Sequence, residues 1–183
     1  MDQSNKLSRL TIRLHWLVAI VVVGLVCVGV LMKYGQLWSL YPIHKSFGVL
    51  ALLVILPRVV WRIKNGWPKP VHSGRLIEQR LAKVVHWLLI LATLVMPISG
   101  MLLSGAGGFG FGVFGLTIVP ANHALDNPEE AVAYNDALSQ FGYGMHSWAG
   151  YLLILAIVLH VIGAFKHHWV DRDLTLKRML GRH

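Results

Sequence analysis

The sequence predicts an all-α fold, a four-helix bundle integral to a membrane with both termini on the cytoplasmic side. Three observations carry that expectation. The 183 residues are 55% hydrophobic and only 14% charged, well outside the usual soluble range. Long uncharged runs recur: Leu14 to Met32, Val84 to Leu125 and Ala137 to Phe165, each about as long as or longer than the roughly 20 residues that a spanning helix needs. The basic residues are also unevenly divided between the two ends of such a bundle.

Taken in order, helix one is expected over Leu10 to Met32. Its apolar run is long, carries His15-Trp16 and lacks a small-residue cleavage site, so it reads as a retained span and not a cleavable signal. Helix two, Leu40 to Val60, is interrupted by Lys45 and Arg58, which can extend to the headgroups. Helix three is expected over Leu81 to Ser104 and helix four over Leu138 to His167, with Pro57 and Pro97 read as lying near helix ends. An even number of spans puts both termini on one side. Of the 17 Lys and Arg residues, 15 fall on that side and only Lys33 and Lys45 on the other. By the positive-inside rule the termini are cytoplasmic, and the net charge of +9 follows from topology without a nucleic-acid partner.

The external segment from Gly105 to Ala137 opens glycine-rich and then turns acidic, with Asp126, Glu129, Glu130 and Asp136. Its length suits a cap over the outer end of the bundle. Gly110-x-Gly112-x-x-Gly115 within it has the spacing of a dinucleotide fingerprint, but it follows a membrane helix and has no βαβ unit around it, so it is not read as a nucleotide site. Cys27 is the one cysteine, which excludes an intramolecular disulfide, a thiolate zinc cluster and C-x-x-C-H covalent haem attachment. The whole chain, 1–183, reads as a single domain.

Five of the ten histidines, His15, His44, His86, His146 and His160, fall inside the expected helices. Ionisable groups at membrane depth are costly and mark function by default, although a lone helical histidine is more often an interhelical hydrogen-bonder. The spacing argues for more here. His146 and His160 lie 14 residues apart, which returns to within about 40° of one helix face and separates them by about 21 Å. A neutral imidazole is a good axial ligand for haem iron, and two haems stacked across a bilayer need ligands at two depths. The expected outer pair is His44 with His146. For the inner pair His160 has two candidate partners, His15 and His86. Small residues flank His15 (Ala19), whereas Leu89 and Ile90 follow His86, so His15 is favoured and His86 is the alternative. His72, His123 and His183 read as solvated, with His123 a minor candidate for a contact near the outer haem. His167 and His168 read as complements to the helix dipole. Trp16, Trp38, Trp61, Trp67, Trp87 and Trp169 read as an interfacial aromatic belt.

Several stretches together resemble the prokaryotic cytochrome b561 family: Arg13-Leu14-His15-Trp16, His44-Lys45-Ser46-Phe47-Gly48, Pro97-Ile98-Ser99-Gly100, Phe114-Gly115-Leu116-Thr117 and His167-His168-Trp169. The resemblance implies a four-helix fold, two non-covalent haems b, a bacterial inner membrane and quinone chemistry, with helix four supplying a ligand to each haem. Free-standing members include a superoxide oxidase that passes electrons from periplasmic superoxide to ubiquinone. Others are cytochrome subunits that anchor a hydrogenase or another dehydrogenase. In length, in the loop and in its short tail this chain is similar to the free-standing type. Lys45, beside His44, is then expected to attract a small anion toward the outer haem. His86, if not a ligand, is expected to serve quinone as a hydrogen-bonding or proton-relay group. The expected partners are lipid, quinone and superoxide, and a protein partner or a homo-oligomer is compatible with the sequence.

Overall fold

The computed structural model describes residues 7–67 and 75–181, and His72 and His183 lie outside them. Four helices are long and apolar enough to cross a bilayer. They are α1 (Arg9–Gly35), α2 (Tyr41–Asn65), α3 (Leu76–Ala106) and α4 (Asp136–Phe165). Each outlasts its apolar run at one or both ends, α3 by five residues before Leu81. The backbone hydrogen-bond ladder does not stop where the hydrocarbon does, so charged first and last turns continue a spanning helix into the headgroups. For the same reason Pro57 and Pro97 are inside helices and not near their ends.

Ser8 caps α1, its Oγ accepting the Thr11 N–H at 3.2 Å, and Asn135 caps α4, its Oδ1 accepting the Leu138 N–H at 3.0 Å. These satisfy donors that a helix start leaves unpaired. A buried cluster takes Val22 from α1, Ala51 and Ile55 from α2, Ala92 from α3 and Leu153 from α4. Leu153 falls midway between His146 and His160, so this apolar plug separates the two histidine depths. Outward-facing side chains such as Ile20, Leu53 and Ile63 are about 70% exposed, as suits a lipid-facing surface.

The segment between α3 and α4 caps the bundle, as expected, but it does so with a β-hairpin that the sequence reading did not anticipate. Strands β1 (Phe111–Val113) and β2 (Leu116–Val119) pair antiparallel, with Val113 opposite Leu116. Phe114 and Gly115 make the turn with φ of 44° and 93°, the positive values that a tight two-residue hairpin turn needs. Phe114 is held in this uncommon conformation from both ends. Its N–H donates to Ser46 Oγ at 3.0 Å, and its ring meets Phe47 edge-on at 5.2 Å. The glycine pattern is thereby explained: Gly115 turns the hairpin and Gly112 lies inside a strand, with no helix following.

At the opposite end α4 runs into a π-helical turn, Lys166–Val170, and then a short helix α5 (Thr175–Met179). Trp16 Nε1 donates to Met179 O at 2.8 Å, which tucks α5 under the start of α1. Trp61 Nε1 donates to Thr11 Oγ1 at 2.8 Å, so two of the belt tryptophans also pin the bundle. Lys166 bridges Glu78 of α3 and Asp171, at 2.8 and 3.0 Å. That hydrogen bond from Lys166 holds the Asp171 carboxyl below its ordinary pKa. His167 Nδ1, placed by the π-turn, faces Asp171 at 2.9 Å and Asp173 at 3.2 Å, so its neighbours are carboxylates as well as the helix end.

Candidate functional site: paired histidines at two depths

All five intrahelical histidines are partly buried and point into the bundle. At the loop end His44 of α2 faces His146 of α4, with ring centres 6.3 Å apart. At the terminal end His15 of α1 faces His160 of α4 at 6.1 Å, and His86 of α3 stands 5.2 Å from the same His160. Every predicted histidine thus reaches its expected depth, and α4 contributes to both. The helices carrying the 6.3 and 6.1 Å pairs, α2 with α4 and α1 with α4, do not pack closely backbone to backbone. Extensive packing joins α3 to α4, α1 to α2 and α2 to α3, whereas α4 reaches α1 and α2 through side chains, Leu153 of the buried cluster among them.

Local sequence fixes His146. Pro97 has no N–H, so the α3 ladder is interrupted at Thr93. Beyond it Ser99 Oγ donates to Val95 O at 2.7 Å and Met96 O at 3.1 Å, and His146 Nδ1 lies 3.0 Å from Met96 O and 3.2 Å from Ser99 Oγ. A carbonyl only accepts, so Nδ1 carries the proton and the lone pair stands on Nε2, the arrangement typical of a metal-ligating histidine. Gly100 makes room: a Cβ there would stand 3.1 Å from His146 Cε1. Gly29 of α1 likewise lies opposite His44, where a Cβ would be 3.6 Å from Cε1. Sequence reasoning missed Met96, Ser99, Gly100 and Gly29 as supporting residues. A glycine inside a helix costs about 1 kcal/mol relative to alanine, and that cost was the available sign of close approach.

At the terminal end His86 Nδ1 donates to Ala82 O at 2.6 Å, which leaves its Nε2 lone pair free. Its ring lies 5.3 Å from Trp67, whose face in turn receives the Arg62 guanidinium at 5.3 Å. Lys45 is near the loop-end pair but is not a free surface cation. Its Nζ donates to Phe109 O at 3.3 Å and Gly110 O at 3.0 Å and so anchors the loop to α2. His123 is exposed in the loop, in an isolated bridge with Ala131, outside the histidine pairs.

A membrane-spanning four-helix bundle with imidazoles opposed at two depths defines a class, the helical membrane cytochromes that grip a flat metal-bearing group between helices. The chain belongs to the prokaryotic cytochrome b561 family, whose family model matches residues 6–182. It is 35% identical to cytochrome b561 homolog 2 of Escherichia coli (strain K12), over 92% of this chain and 87% of that protein. It is 29% identical to the probable superoxide oxidase CybB of Yersinia pestis, over 96% of both chains, and 25% identical to cytochrome b561 homolog 1 of E. coli (strain K12), over 97% and 98%. The family makes it a haem b-binding cytochrome of membrane electron transfer.

The residues present fit such a group. Two imidazoles on opposite sides of one metal ion, each nitrogen about 2 Å from it, hold their ring centres about 6 Å apart. The separations of 6.3 and 6.1 Å match this, and 5.2 Å is short of it. His44 Nδ1 is buried without a hydrogen-bond partner among the described residues. Gly48 and Gly163, one turn from His44 and His160, have open space where a Cβ would stand.

Proposed function

We propose that this chain is a di-haem cytochrome that oxidises superoxide at its loop end and reduces ubiquinone toward its terminal end. The opposition of histidine rings at 6.3 and 6.1 Å, at two depths, carries the reading. In it His44 and His146 hold one haem b and His15 and His160 the other. Haem supplies one-electron redox chemistry at each depth. The name of the 29% identical relative supports superoxide as donor. The balance is simple: two superoxide anions release two electrons and become two molecules of oxygen, and one quinone takes up two electrons and two protons to become quinol.

The chain's own groups have distinct tasks in this scheme. Met96 O and Ser99 orient the His146 ring. His86, with its Nδ1–H committed to Ala82 O, has an Nε2 lone pair that can take up a proton and, once protonated, donate it to a quinone oxygen. The loop end is otherwise acidic, with Asp126, Glu129, Glu130 and Asp136 all exposed, so an approaching anion depends on Lys33 and Lys45. Lys45→Glu is expected to keep both haems while slowing superoxide-driven haem reduction about tenfold at low salt, since local charge steers encounter. The deficit shrinks at high salt as screening grows. Stopped-flow reduction at two ionic strengths reads this out, and an unchanged rate removes Lys45 from the entry path.

The same reading places the chain in a bacterial inner membrane with both termini in the cytoplasm. A reporter fused after His183 is expected to score cytoplasmic and one inserted near Asp126 periplasmic. Reversed signals would assign the loop-end pair to the wrong face.

A further inference from the structure

We propose that the cavity between the start of α2 and the β1–β2 hairpin binds a small aromatic oxyanion, a ring of benzoate or phenolate type. The cavity is about 310 Å³, walled by the rings of Tyr41, Phe109 and Phe111 and by Lys45, Ser46 and Thr117. That volume is at the lower end of the range for small-molecule sites and exceeds what a diatomic anion needs.

The unused hydrogen-bonding capacity of its inner wall is donor in character. Lys45 has three N–H bonds, of which two go to Phe109 O and Gly110 O, so one remains. Ser46, only 5% exposed, accepts from Phe114 N–H and keeps its own O–H to give. A positive charge and two donors call for an oxyanion, and the aromatic walls call for a ring attached to it, through edge and stacking contacts that an inorganic anion cannot make. Thr117, exposed at the mouth, limits the space from the other side.

This site is separate from the histidine pairs. Pro42, Lys45 and Ser46 lie on one side of α2, and the middle of that side is about 150° around the helix from His44. An occupant therefore sits beside the loop-end pair without entering the gap between His44 and His146. The inference does not depend on superoxide as donor, and it gives the loop end a place for an organic molecule.

The test uses the haem-loaded protein in detergent micelles, with saturation-transfer NMR of benzoate and inorganic phosphate as competitor. Benzoate is expected to bind saturably, to resist displacement by equimolar phosphate, and to bind at least tenfold more weakly to Lys45→Met. Thr117→Phe, which fills the space and keeps both donors, is expected to abolish binding with the haem spectrum intact. Benzoate binding that is non-saturable, unchanged in Thr117→Phe, or displaced by phosphate would overturn the proposal. Haem content, read optically on the same samples, separates such a failure from a failure of the di-haem reading.

Discussion

Replacing His146 with alanine is expected to leave the protein with half its haem, and replacing His160 with alanine is expected to remove the other half. Each substitution takes an imidazole from one depth and leaves the other pair untouched, because the two lie about 21 Å apart along α4 with the buried Leu153 between them. The remaining haem should keep its optical band and still be reducible by dithionite. Only the His146 variant should lose reduction by superoxide from the loop side. Retention of two haems in either variant would show that α4 does not supply a ligand at that depth.

The second large effect separates the two candidate partners of His160. His15→Ala is expected to lose the terminal-end haem, since its ring stands at the ligating separation of 6.1 Å. His86→Ala is expected to keep both haems, which superoxide still reduces, while quinone reduction falls at least tenfold through loss of a group that donates and accepts protons. Loss of a haem in His86→Ala, with retention in His15→Ala, would exchange the two roles. A His86→Gln variant sharpens the test: it can hydrogen-bond a quinone oxygen but cannot relay a proton, so quinone should still bind while turnover stays low.

Much of this arrangement was legible in the residues because a bilayer imposes simple rules. The uncharged runs gave the spans, the Lys and Arg distribution gave the expected orientation, and 14 residues between His146 and His160 put two imidazoles on one face of one helix. The depths of His15, His44 and His86 followed from where they fall in their helices. What was not legible depended on neighbours distant in the chain. That Lys45 ties down the loop needs Phe109 and Gly110, more than 60 residues on. The hairpin escaped notice because its strands are three and four residues long and occur within an uncharged run that reads as continuous with helix three. The π-turn that aims His167 at Asp171 and Asp173 likewise has no periodic signature. The support of His146 by Met96 is a backbone carbonyl, which no side-chain pattern can announce.

The central claim, two haems b held by opposed histidines in one chain, is tested most directly by the haem-to-protein ratio of the purified protein. Pyridine haemochrome quantification against amino-acid analysis, with a reduced-minus-oxidised spectrum, is predicted to give two haems b per 183-residue chain. A ratio of one would leave one histidine pair without a cofactor, and protein that binds no haem under conditions that load other b-type cytochromes would contradict the account altogether.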